Sequence, residues 1–276
     1  MEISKKTKYL IFLVAYFLLL TLVCPLLTVL VFPEVEVFAY ITQLFPFALA
    51  LGITSIIYKK MTGNSVLKLF TLERAFSWKR FATVFGITIV FGAISVLLNW
   101  SDYHFTTEAW TVVTISILLT LLLMPLQVMA EELLFRCLPL RIVTGENAAG
   151  SNRDKVIAIF FSALLFMAMH MGNPEVKAIG LPVLLIYFMI GGTLMLFSTY
   201  EGGFESALAY HMANNLFLAM IANYSSEVTV LKSSPLFISS GEFNILYSIP
   251  EFLIIAGAIM LVIRFQTIKA KENING

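Results

Sequence analysis

The chain has 276 residues, 59% hydrophobic and 13% charged, against roughly 45–50% apolar and 25% charged in ordinary soluble domains. That composition excludes an ordinary soluble protein. A net charge of +1 offers no bulk basic character for a nucleic-acid partner, and two cysteines, Cys24 and Cys137, make neither a disulfide framework nor a zinc set.

Eight apolar stretches are long enough to approach or cross a hydrocarbon core of about 30 Å. In chain order they are Tyr9–Phe32, Phe38–Tyr58, Phe81–Leu98, Thr111–Val143, Val156–Met171, Leu181–Phe197, Phe204–Ala222 and Ile245–Ile263. Each is apolar all round rather than on one face, which predicts helices in lipid or in a membrane core. The expected fold is therefore all-α: a polytopic integral membrane protein of about eight transmembrane helices, one membrane domain over residues 1–276. The first stretch follows Lys5, Lys6 and Lys8, but its apolar run exceeds a signal peptide's core and no small-residue cleavage site follows. It reads as an uncleaved anchor.

Loop charges set the orientation. With the N-terminus inside, the inner segments hold Lys5, Lys6, Lys8, Lys59, Lys60, Lys68, Arg74, Lys79, Arg80, Arg136, Arg141, Arg153, Lys155, Arg264, Lys269 and Lys271, and the outer loops only Lys177 and Lys232. Sixteen against two predicts both termini on the cytoplasmic side. The segment Met61–Arg80, with Val66, Leu67, Leu69, Phe70, Leu72 and Phe76 among basic residues, is expected to lie along the inner surface as an amphipathic helix, a solvated loop being the alternative. Lys269–Gly276 reads as a frayed tail. The fourth stretch, 33 residues, makes a straight helix of roughly 50 Å, so it is expected to protrude, tilt or bend near Pro125.

Ionisable residues are expensive inside a membrane and are functional candidates by default. Here they cluster: Glu131, Glu132 and Arg136 in the fourth stretch, His170 with Phe166 in the fifth, His211, Asn214 and Asn215 in the seventh. Glu132 and Arg136 are four apart and share a helix face as an ion pair. Glu131 points about 100° away and is left available. His211 and Asn215 share a face at the same spacing, as do Phe166 and His170. A carboxylate in a partly dry cavity suits a general base that strips a proton from water. One imidazole can hold that water, while a second imidazole and an amide can donate to an oxyanion.

Other hydrolytic arrangements are missing. No HExxH string is present, as zinc catalysis of that type needs. Ser151 leads into the charged Asn152–Arg153 segment rather than a nucleophile motif, the only aspartates, Asp102 and Asp154, read as loop residues, and Cys137 is a weak thiol candidate beside Arg136.

The ordered set EExxxR (Glu131, Glu132, Arg136), FxxxH (Phe166, His170) and HxxxN (His211, Asn215) resembles the CPBP (CAAX protease and bacteriocin-processing, Abi) family of glutamate intramembrane endopeptidases, over about Thr111–Ala222. The resemblance implies a metal-independent protease without cofactor. In it Glu131 activates water with help from His170, His211 and Asn215 form the oxyanion hole, Glu132 and Arg136 hold the architecture or the substrate backbone, and Phe166 packs the site. It further implies a peptide or membrane-protein substrate, cut near the cytoplasmic face. The short loops suggest a bacterial plasma membrane, and with it a small peptide precursor or membrane-protein tail rather than a prenylated protein. Two other classes stay open at this point: a proton-coupled transporter, against which no inverted repeat is visible, and a non-catalytic scaffold that regulates a membrane partner.

Overall fold

The computed structural model describes residues 4–32, 39–72, 75–145, 150–224, 232–241 and 244–275. All eight apolar stretches are helices. Six are long and apolar enough to cross a membrane: α1 (Lys5–Val31), α2 (Ala39–Thr62), α3 (Trp78–Leu98), α4 (Trp110–Thr144), α7 (Pro182–Glu201) and α9, of which Ile245–Ile268 is the crossing part. The other two are shorter and more polar, α5 (Asn152–Met169, 18 residues) and α8 (Glu205–Met220, 16 residues). A one-and-a-half-turn helix, α6 (Pro174–Ile179), links α5 to α7. The protein is a polytopic, all-α membrane protein. Its outside is greasy, with Leu30, Leu98, Leu122 and Phe265 among many large apolar side chains left exposed, as lipid contact requires.

Three short strands form a small sheet in the order β1 (Tyr103–Phe105), β3 (Phe237–Ser239), β2 (Ala222–Tyr224). β1 runs antiparallel to β3, with Tyr103 opposite Ser239, and β2 runs parallel to it, with Ala222 opposite Phe237. Phe237 meets Trp100 and Phe105 edge-on, so the sheet ties the segment before α4 to the end of α8.

Several expectations change. Met61–Arg80 is no amphipathic α-helix: α2 runs to Thr62, a 3-10 helix spans Val66–Phe70, and α3 starts at Trp78, with residues 73–74 outside the described part. Arg141 explains the tight turn. Its guanidinium donates to Leu69 O, Lys68 O, Thr71 O and Cys137 O, which holds the segment against α4 and buries Leu69 and Phe70. Asn152, Arg153 and Asp154 belong to α5 rather than a loop. Ser151 is its N-cap, and Asp154 completes a capping box by accepting from Ser151 N. The C-terminal segment is helical as far as Asn275; the Lys, Ala and Glu residues there are good helix formers.

Candidate active site

Helix α4 carries the acidic pair. Its irregularity lies not at Pro125 but in a π turn over Leu133–Cys137, where the Leu138 N–H reaches Leu133 O, five residues back. Pro139 supplies the reason: its ring has no N–H for Phe135 O and crowds that carbonyl, and a widened turn accommodates it. α1 repeats the device before Pro25, with Cys24 N–H on Leu19 O. Next to the π turn, the Tyr16 hydroxyl of α1 donates to Ala130 O at 3.1 Å. The chain turns from α7 into α8 at Gly202, whose φ of 66° is left-handed backbone that a side chain resists. That turn delivers His211 to α4.

His211 bridges both glutamates. Its Nδ1 lies 2.7 Å from Glu132 Oε1 and its Nε2 3.3 Å from Glu131 Oε2. Although neighbouring positions on a helix diverge by about 100°, the two long side chains converge on one imidazole placed between them. Glu132 Oε1 also takes Arg136 Nη1 at 3.1 Å, and both of these side chains are wholly buried. The Arg136 guanidinium lies over the Phe166 ring at 4.7 Å, which gives a desolvated cation a favourable face. Two carboxylates therefore share one arginine and one imidazole. Each ring nitrogen of His211 faces one carboxylate oxygen. Glu131 is thus not left without a partner, as helix spacing alone predicted.

His170 joins through Phe166. It caps the C-terminal end of α5, and its ring lies tilted against Phe166 at 4.2 Å and against Tyr187 of α7 at 4.4 Å. The same Phe166 ring meets His211 edge-on at 6.1 Å. His170 Nδ1 is 2.7 Å from Phe166 O. A carbonyl only accepts, so Nδ1 carries the hydrogen and Nε2 of the neutral ring keeps a free lone pair. Asn215, one turn beyond His211, donates to Gln127 Oε1 at 3.5 Å. Gln127 lies one helical turn before Glu131 on α4, and both are buried. All seven residues singled out in the sequence thus fall in one connected group of contacts. The link from His170 to the acids runs through Phe166, and that from Asn215 runs through Gln127.

Residues 110–217 match the family described as type II CAAX prenyl endopeptidase Rce1-like. This match agrees with the resemblance of the motifs to the CPBP, or CAAX-protease, family. No curated protein and no solved structure matched. A match of this kind points to a CAAX-protease-like hydrolase, and a protease family implies peptide substrates and a membrane environment. The matched segment runs from the start of α4 into α8 and contains every motif residue.

Three contributors were not visible in the motifs. Gln127 lies one turn before Glu131, and its amide in an otherwise apolar run was the one signal available. Tyr187 lies against His170 and accepts from Asn173 Nδ2 at 3.2 Å; a tyrosine in an apolar helix carries no such signal. Tyr16 lies outside the CPBP match, and only the packing of α1 brings its hydroxyl beside Glu131.

Proposed function

We propose that this chain is a metal-independent intramembrane endopeptidase of a bacterial plasma membrane. It cuts a peptide bond in a small peptide or membrane-associated tail by glutamate-activated water. The observation that carries the proposal is the Glu131–His211–Glu132–Arg136 chain of contacts, buried within a membrane bundle. Such a group is costly to bury, and a packing role alone needs no second carboxylate.

In the proposed reaction Glu131 removes a proton from water while the lone pair of His170 Nε2 accepts the water's other hydrogen and orients it. The oxygen bonds to the scissile carbonyl carbon, and the carbonyl becomes an oxyanion. Protonation of Glu131 weakens its hold on His211 Nε2–H, so that donor and the Asn215 amide turn to the oxyanion. Collapse then breaks the C–N bond, and the proton on Glu131 passes to the departing amine. Glu132 and Arg136 keep His211 in register from full burial.

The test is peptide analysis of membranes carrying wild type or Glu131→Gln, followed by cleavage with purified protein in the presence of a chelator. The expected result is that Glu131→Gln lowers turnover by about a hundredfold or more and chelation changes nothing. Cleavage that survives Glu131→Gln, or that a chelator abolishes, overturns the proposal.

A further inference from the structure

His170 is the first residue past α5, and the chain reverses there. The Asn173 N–H donates to His170 O at 3.1 Å, which closes a tight turn before α6. Asn173 is the N-cap of α6, a position where an asparagine side chain ordinarily accepts from a backbone N–H. Here it makes no capping bond, and its Nδ2 donates instead to the Tyr187 hydroxyl at 3.2 Å. The Tyr187 ring lies 4.4 Å from that of His170, the Phe166 ring lies 4.2 Å from it, and the two are 6.2 Å apart. Those separations make a near-right angle at His170, so the imidazole sits in the corner between two rings. Phe166 belongs to α5, as the turn after His170 does, and moves with it. Tyr187 belongs to α7, while Phe135 of α4 stands farther off at 6.3 Å.

We propose that Asn173 and Tyr187 are positioning residues for His170: the amide-to-hydroxyl bond fixes the Tyr187 ring, and that ring fixes the imidazole. The bond from His170 Nδ1–H to Phe166 O at 2.7 Å sets the tautomer, but one hydrogen bond leaves a ring free to rock about it. A second ring, held from another helix, stops that motion and keeps Nε2 pointing one way. Aim matters because a hydrogen bond weakens steeply off line and a reacting group misplaced by about 1 Å loses much of its rate. The forfeited cap of α6 shows where the Asn173 amide is used. The inference rests on the protease reading, in which Nε2 orients the attacking water.

Two measurements on the full chain test it. The first is solid-state NMR of protein labelled with 15N-histidine in lipid, the His170 signals being assigned by their loss in His170→Gln. Wild type is expected to give one narrow pair, with Nδ1 protonated and Nε2 bare. Asn173→Ala and Tyr187→Phe both keep an aromatic ring at position 187 and are expected to broaden or double that pair. This readout needs no turnover, so it still decides the positioning claim if cleavage survives Glu131→Gln and the protease reading falls. The second is steady-state cleavage. Each variant is expected to lower kcat by about fivefold at unchanged KM, the loss of one hydrogen bond, and the double variant to be no slower than either single, because both remove the same bond. Should Asn173→Ala fold poorly, Tyr187→Phe decides alone, since it preserves the ring's shape. Unchanged His170 signals in the variants overturn the proposal, as does a mixture of tautomers in wild type. A double variant slowed by the product of the singles, about 25-fold, overturns it too, and so does a raised KM with kcat intact, which would make Tyr187 a substrate contact.

Discussion

Arg136 is wholly buried and faces one carboxylate oxygen and two aromatic rings. Removing such a cation leaves Glu132 with His211 alone, and breaking a buried pair from one side costs about 3–5 kcal/mol. Arg136→Met is therefore expected to lower the melting temperature sharply in detergent. Arg136→Met combined with Glu132→Gln is expected to recover part of the loss, because no bare carboxylate remains. A double variant as unstable as the sum of its parts would mean that the two side chains are not coupled. His211 contacts both glutamates and so ties Glu131 into the same group as the Glu132–Arg136 pair.

At the scale of elements, the site depends on how closely α5 and α7 approach. A Cβ built on Gly191 would fall 2.8 Å from Phe166 Cβ and 3.0 Å from the Ala163 backbone. Ser162 Oγ donates to Gly191 O at 3.1 Å across the same junction. Small residues let membrane helices touch backbone to backbone, and here that contact aims Phe166 at both histidines and at Arg136. Gly191→Ala is expected to force α5 and α7 apart, lowering stability by about 1–3 kcal/mol and cutting peptide cleavage. Gly192→Ala meets Ala163 Cβ at an ordinary 3.5 Å and serves as the control. Thermal melts and cleavage rates of the pair check this, and equal behaviour of the two variants would refute it. The π turn is a second element-scale device. It lies between the acids and Pro139, and Tyr16 from α1 bonds the carbonyl just before Glu131.

For the whole molecule, sidedness decides where substrate arrives. The positive-inside pattern predicts Lys155 in the cytoplasm and Lys177 outside. Native Cys24 and Cys137 are buried and leave the background low. With a membrane-impermeant maleimide on intact cells, Lys177→Cys is expected to react and Lys155→Cys to react only after permeabilisation. The reverse pattern would invert the topology.

Much was legible before any fold was known. Apolarity belongs to each residue separately, so runs of it marked all eight helices, and the spacing of Glu132 and Arg136 on one helix foretold their ion pair. The ordered motifs marked seven residues of the contact group, all within the matched segment 110–217. Three matters were decided only by tertiary structure: the imidazole of His211 set between two carboxylates, the contact of the His170 ring with Tyr187, and the 3-10 turn over Val66–Phe70 held by Arg141. Each joins side chains far apart in sequence, and whether their polar tips meet depends on helix crossing and on one widened turn. Local pattern carries no information about either.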